Sequence, residues 1–285
     1  MPTASAETPS RFALAASAAA PLASDTTAVR AAYDAVASGY DARVAPSSWV
    51  RERLWERLDA LFPPGARVLD VTAGTGLDVR HLVARGVQVT ACDLSPAMLR
   101  ELRDKCPGVP THVADFNRLD EIEELTHAAP FDGLIATFAG LNAARDLRPF
   151  AASAARLLRP GGVLYVHVLN RWPLGDLARS LRRGPAAFGR ALAASLSGVR
   201  QARFGGLSVP HHLFSPRRLY RRAFAPAFEL RGLAGQGIVR PADAPPGTDR
   251  AARARWELWA AERPLLRACG TFFTLELVRR SQERP

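Results

Sequence analysis

The chain has little that would staple it or carry it across a membrane. Its three cysteines, Cys92, Cys106 and Cys269, are odd in number and form no C-x-x-C pair. That argues against both a disulfide framework and a structural zinc site and fits a reducing, cytoplasmic setting. No run reaches the ~18 consecutive apolar residues that a spanning helix needs. Lysine is nearly missing, Lys105 being the one lysine among 38 basic residues. Few aromatics interleave the arginines as a base-stacking platform requires, and neither an N/D-P-P-Y/F tetrad nor a Pro-Cys pair is present. Nucleic acid is therefore not the expected partner.

What is there is a globular composition, 48% hydrophobic and 23% charged, with enough apolar material for a sizeable core. The net charge of +11 is lopsided. Residues 1–170 carry 17 basic against 19 acidic side chains, and residues 171–285 carry 21 against 8. The opening stretch "RFALAASAAAPLAS" has the outline of a signal peptide, but its apolar part is mostly Ala and Ser, too weakly hydrophobic for one, and Glu7 precedes it. Residues 1–26 are read as a disordered tail.

From residue 67 onward short β-branched runs alternate with helix-length segments. "RVLDV" (67–71), "VQVTACD" (87–93), "THVADF" (111–116), "FDGLIATF" (131–138) and "VLYVHVL" (163–169) read as strands. Between them lie helical stretches at 77–86, from Ser95 as N-cap with Pro96 in the first turn, and near 146–158, and the turn "RPGG" precedes the fifth strand. Two helices precede the first strand. Downstream, 171–203 carries leucines at helical spacing among arginines, then a capped helix and a sixth strand lead to the closing strand "TFFTLELVRR" (271–280). The expected fold is α/β, a Rossmann-like, doubly wound, mostly parallel seven-stranded sheet with an inserted helical cap. The expected segments are 27–170 for the N-terminal helices and ligand-binding core, 171–240 for the cap and sixth strand, and 241–285 for a final helix and the closing strand.

"LDVTAGTG" (69–76) is a glycine-rich loop after the first strand, where an open α/β sheet places its ligand. Gly74 and Gly76 allow a tight turn and close backbone approach. Val79 stands where the dinucleotide fingerprint has its third glycine, which disfavours a pyrophosphate. Asp93 ends the second strand, 17 residues after Gly76, placed to accept both hydroxyls of an adenosine ribose. Asp115 and Phe116 end the third strand, where they can meet the edge and face of adenine, and Asp70 adds a third acid. Carboxylates on three successive strands repel a diphosphate and suit a cationic nucleoside.

These motifs, "VLDVTAGTG", "VTACDLSPAML", "VADFNRL", "FDGLIATFAGLN" and "LLRPGGVLYVHVLN", together resemble the class I S-adenosylmethionine-dependent methyltransferases of the small-molecule branch, over about residues 30–170 and the closing strand. The resemblance implies S-adenosyl-L-methionine as cofactor, with Asp70, Gly74 and Gly76 at the methionine portion, Asp93 at the ribose, Asp115 and Phe116 at the adenine and Phe138 on the floor. Thr75, Leu94 and Met98 complete that donor set. Tyr33 and Tyr40-Asp41 match the "Y-D" of helices that fold over the donor. Thr72 and Ala73 stand where the family has Gly and Cys, so the loop is expected to differ locally. No metal is implied, since the ends of the fourth and fifth strands read Thr137-Phe138 and Leu169-Asn170 rather than carboxylates.

Methyl transfer mostly requires alignment and desolvation of the nucleophile, and an oxygen nucleophile can use a base. His211 and His212 in "VPHHLFSP" are the candidates for that base, whereas His167 reads as a core residue. The expected acceptor is a small or lipid-like molecule. The Arg-rich 171–203 segment reads as a lid, with peripheral contact to an anionic membrane as the alternative. Two other functions fit the same fold: a donor-binding regulatory protein without catalysis, and a nicotinamide-dependent oxidoreductase.

Overall fold

The computed structural model describes residues 26–244 and 251–281, so the expectation for 1–25 lies outside the described residues. The helices are α1 (Thr26–Asp34), α2 (Tyr40–Val44), α3 (Ser48–Leu61), α4 (Leu77–Ala84), α5 (Pro96–Lys105), α6 (Glu123–Ala128), α7 (Arg148–Leu157), α8 (Leu174–Arg182), α9 (Pro185–Ser197), α10 (Pro216–Leu219) and α11 (Ala251–Ala261). The strands are β1 (Arg67–Asp70), β2 (Gln88–Asp93), β3 (Thr111–Val113), β4 (Phe131–Ala136), β5 (Leu158–Leu169), β6 (Val199–Phe204), β7 (Leu207–His212), β8 (Phe228–Gln236) and β9 (Phe272–Arg279).

Seven strands form one sheet in the order β3-β2-β1-β4-β5-β9-β8. The first five are parallel, and β9 runs antiparallel to both β5 and β8. The expected doubly wound, mostly parallel sheet of seven strands is therefore present. Each strand alternates its side chains between two buried faces. Val68, Ala91 and Ile135 pack under Leu54, Leu58 and Phe62 of the α3 side, together with Val79, Leu82, Leu99 and Leu102 of α4 and α5. Leu69, Leu134 and Ala136 face the opposite way, toward Phe150 and Leu157 of α7 and toward Phe224 and Phe228. β1 lies between β2 and β4, with Asp70 level with Ala91 on one side and Ile135 on the other. The chain reverses its direction of winding at that point, which leaves a crevice at the carboxyl ends of these strands.

Three expectations need correction. The first N-terminal helix is broken at Ala37–Gly39, a 3-10 turn after which α2 brings Tyr40 to the crevice and Asp41 to Thr75 of the glycine loop. "RPGG" is a bulge inside β5, which begins at Leu158 and shifts register against β4 between Phe131 and Gly133. The cap is not wholly helical. After α9 the chain makes the hairpin β6–β7, whose Gly205 and Gly206 have φ of 53° and 82°. Two successive positive φ angles are what a two-residue type I′ hairpin turn demands.

Gly133 in β4 shows how tightly α3 sits on the sheet, for a Cβ there would lie 2.1 Å from the Phe62 ring. Gly133→Ala should cost about 3 kcal/mol of unfolding free energy through overpacking in the core. Urea denaturation would measure it, and a loss below ~0.5 kcal/mol would show that Phe62 is not held.

Candidate active site

The loop after β1 is shaped by its two glycines. Gly76, at φ 86°, is the N-cap of α4, and a side chain there would meet Leu102 Cγ at 2.7 Å. Gly74, at φ 53°, is different, because a Cβ there would find no atom within 4 Å. The space above it belongs to a crevice of about 740 Å³.

Asp93 closes the loop from the end of β2. One carboxylate oxygen accepts the Gly74 N–H at 2.9 Å and the other accepts the Ser95 N–H at 2.8 Å. Burial raises its pKa to about 6, and those two N–H groups oppose the rise. Each oxygen keeps lone-pair capacity for a further donor such as a ribose hydroxyl. Ser95 Oγ caps α5 at Met98 N–H (3.1 Å) and donates to Asp34 at 2.5 Å. Asp41 accepts from Thr75 Oγ1 at 2.5 Å and Lys105 Nζ at 2.8 Å. These two acids latch the N-terminal helices over the crevice, where Tyr33 and Tyr40 line the roof. Burial raises the pKa of both phenols, so they remain neutral.

The floor follows β4. Phe138 and Ala139 have φ of 47° and 65°, a left-handed pair that non-glycine residues rarely adopt. His167 secures them, its Nδ1 accepting the Phe138 N–H at 3.1 Å and its carbonyl accepting the Ala139 N–H at 3.1 Å. Burial lowers the pKa of His167 to about 3, which keeps Nδ1 free to accept. Above the Phe138 ring, 3.8 Å from its centroid, sits the Arg51 guanidinium, which pairs with Asp78 at 2.5 Å. Asp78 also accepts from Thr137 Oγ1 (2.6 Å) and Trp55 Nε1 (2.8 Å). Burial alone would raise its pKa, but Arg51 and these donors hold it below the usual carboxylate range.

Of the residues expected at the donor, Tyr40, Thr72, Ala73, Gly74, Thr75, Asp93, Leu94, Met98, Phe116 and Phe138 line this crevice. Asp70 lies fully buried behind the loop, accepting the Thr72 N–H at 3.1 Å while its other oxygen has no partner among the described residues. Burial first, and then Asp78, raises its pKa well above normal. Gly76 acts through the turn, and Asp115 caps the turn that carries Phe116 by accepting the Asn117 N–H at 2.9 Å. His211 and His212 are on β7 outside the crevice. His211 is buried with its ring 6.0 Å from Phe204, neither nitrogen is hydrogen-bonded, and burial lowers its pKa to about 3. His212 is half-buried, its pKa lowered by burial and then by Arg145.

Sequence reasoning missed Arg51, Asp78 and Thr137. The only signal for Asp78 was an acid in the first turn of α4, and nothing near Arg51 marked it among the many arginines. It also missed how Thr72 is accommodated. Thr72 Oγ1 accepts the Thr137 N–H at 3.1 Å, and its methyl lies against Gly140, where a Cβ would come within 2.5 Å. The glycine missing from position 72 has its counterpart at 140, so the crevice stays open. An open cradle over Gly74 and, beside it, a buried carboxylate with spare acceptor capacity together fit an S-adenosyl group.

Comparison with known proteins agrees. The Methyltransf_25 family model, described as a methyltransferase domain, matches residues 68–162, from β1 into β5. A demethylmenaquinone methyltransferase of Tropheryma whipplei (strain Twist) is 29% identical over 180 residues, 57% of this chain and 74% of the relative. A ubiquinone biosynthesis O-methyltransferase of Xylella fastidiosa (strain 9a5c) is 38% identical over 109 residues, 38% of this chain and 43% of the relative. A solved structure described as a DhpI-SAH complex aligns with a TM-score of 0.56 at 18% identity, over 90% of this chain and 98% of that one, and so shares the fold.

Two outcomes test this geometry. Asp93 holds a proton up to about pH 6 instead of the ordinary 3.8, and ribose hydroxyls need an acceptor, so binding expels that proton. S-adenosylhomocysteine affinity measured by calorimetry should be flat above pH 7 and about tenfold weaker at pH 5. Asp93→Asn should weaken binding at every pH and flatten the profile, while a flat profile in the natural chain would contradict the assignment. Gly140→Ala should destabilise by about 2 kcal/mol through contact with Thr72. Adding Thr72→Gly should recover part of that loss in a double-mutant cycle, and strict additivity would show that the two sites do not compensate.

Proposed function

Because the chain belongs to the class I S-adenosylmethionine-dependent methyltransferases, we propose that it methylates a small, lipid-like acceptor of the quinone type. The observation that carries this reading is the crevice itself, acidic where the donor's nucleoside lies and apolar around it, with Val29, Leu77, Met98, Phe116 and Phe138 in its lining. The names of the relatives, demethylmenaquinone and ubiquinone-biosynthesis methyltransferases, support the same acceptor class. A nicotinamide-dependent oxidoreductase is not favoured, since Val79 and the carboxylates oppose a pyrophosphate.

When bound, S-adenosylmethionine supplies an electrophilic methyl group on a sulfonium. The chain's own residues then have three tasks. Asp93 and the Gly74 backbone fix the nucleoside end. The latched N-terminal helices exclude water from the crevice, and the Phe138 ring, held by His167 and Arg51, forms a rigid wall against which a flat acceptor can align. Ordering of this kind supplies roughly 7–11 kcal/mol of a transfer barrier. Neither His211 nor His212 lines the crevice, so this reading assigns the acceptor's proton to solvent rather than to either imidazole. No helix among the described residues is long and apolar enough to cross a membrane. Exposed Leu174, Leu181 and Leu196 on α8 and α9, with arginines beside them, support peripheral contact with an anionic membrane as the way a lipid-like acceptor is reached.

The test is turnover with a panel of short-tailed hydroxylated quinols and polar amines or sugars, read as S-adenosylhomocysteine release and product mass. Quinol methylation at a kcat/KM at least ~100-fold above the polar compounds is expected, a gap of about 2.7 kcal/mol in transition-state binding. Preference for a polar acceptor would overturn the acceptor class and leave the donor site intact.

A further inference from the structure

A second cavity lies beyond the Gly140–Ala143 turn and takes no part in the donor site. It is an open groove of about 2110 Å³, walled by 145–148 ahead of α7, by Arg171 after β5, by 197–199, and by the chain from Pro210 through α10 to Ala223. The turn that separates it from the donor crevice is pinned by Asn142, which accepts the Leu169 N–H at 3.0 Å and donates to the His212 carbonyl at 2.5 Å.

Five arginines and one acid line the groove. The acid, Asp146, is already held by Arg148 at 2.8 Å and 2.6 Å. Arg171 is committed to the carbonyls of Ser195 (2.8 Å) and Leu196 (2.6 Å). Arg145, Arg218 and Arg222 remain, and none of them has a hydrogen-bond or ion-pair partner among the described residues. Arg218 and Arg222 are four residues apart on the helical turn after Ser215, so they share a face, and Arg145 comes from the stretch before α7. Other arginines in the fold find acids, Arg51 with Asp78, Arg156 with Asp120, Arg159 with Asp132 and Arg179 with Asp176, whereas these three converge on one groove with no acid partner there. Three guanidinium forks on one groove with no acid partner there lower the cost of seating an anion, and several forks match the oxygens of a phosphoryl group better than a lone carboxylate.

We propose that this groove binds a phosphate- or diphosphate-bearing ligand, with Arg145, Arg218 and Arg222 as its recognition residues. The proposal does not depend on the acceptor named above. The phosphoryl group can belong to a phospholipid headgroup or to a soluble phosphorylated compound, and the experiment separates the two.

Inorganic pyrophosphate is titrated by calorimetry into the natural chain, into Arg145→Gln/Arg218→Gln/Arg222→Gln, and into Arg182→Gln/Arg183→Gln/Arg190→Gln, which removes equal charge from α8 and α9. S-adenosylhomocysteine is titrated into all three as a control on folding. The expected result is saturable pyrophosphate binding that weakens at least tenfold in the groove variant and under threefold in the charge-matched one, with unchanged S-adenosylhomocysteine affinity. Sedimentation with phosphatidylglycerol but not phosphatidylcholine vesicles, reversed by pyrophosphate, would identify the headgroup as the source. Pyrophosphate binding without sedimentation would identify a soluble ligand, and either result upholds the site. No saturable binding, or equal weakening in the two variants, overturns it. Loss of S-adenosylhomocysteine binding alone would count against the donor reading and not against the groove.

Discussion

The site depends on one buried carboxylate. Asp93 spans the gap between the glycine loop and the N-terminus of α5 by accepting one backbone N–H from each. A buried charge in this position survives only because it is hydrogen-bonded on both oxygens. It sets the loop's height above the sheet, and it fixes the start of α5, to which Asp34 and Ser95 fasten α1. Moving that carboxylate would loosen the floor and the roof of the crevice together.

The second constraint is electrostatic. Asp70, Asp78 and Asp93 are brought near one another by the ends of β1 and β2 and the start of α4, and each finds a different resolution. Asp78 is neutralised by Arg51, Asp70 is driven toward its protonated form, and Asp93 is poised near pH 6. With Asp78 matched by Arg51 and Asp70 uncharged, Asp93 is left as the negative group lining the crevice, which accepts hydroxyl donors and disfavours a pyrophosphate. The Arg51 guanidinium also stacks on Phe138, which links the charge arrangement to one wall of the crevice.

Much of this was legible in the amino-acid order, for physical reasons that differ from residue to residue. The strands at 67–71, 87–93 and 131–138 announced themselves because both sheet faces are buried and the runs are short and rich in β-branched and other apolar residues. Gly74, Gly76 and Asp93 were readable because a short loop after a parallel strand leaves few options for the residue types that can occupy it. Arg51 and Asp78 were not, since their partnership spans 27 residues and arginine is too common here for any one to stand out. The Thr72–Gly140 fit escaped for the same reason, as only the folded chain brings them together. The β6–β7 hairpin carried a local signal, Gly205-Gly206 between alternating residues, but the leucine spacing upstream suggested that the helices continue through it. That hairpin places His211 and His212 outside the lining of the crevice, on a strand packed against α1, with His212 beside the arginine groove.

The central claim is that the crevice over Gly74 is shaped for a sulfur nucleoside and not for a dinucleotide. Calorimetric titration at pH 7.5 of the Arg145→Gln/Arg218→Gln/Arg222→Gln chain, in which the separate arginine groove can no longer hold a diphosphate, with S-adenosylhomocysteine and, separately, with NADH tests it most directly. One-site saturable binding of S-adenosylhomocysteine with no heat from NADH is the result this account predicts. Saturable NADH binding that S-adenosylhomocysteine fails to displace would contradict it.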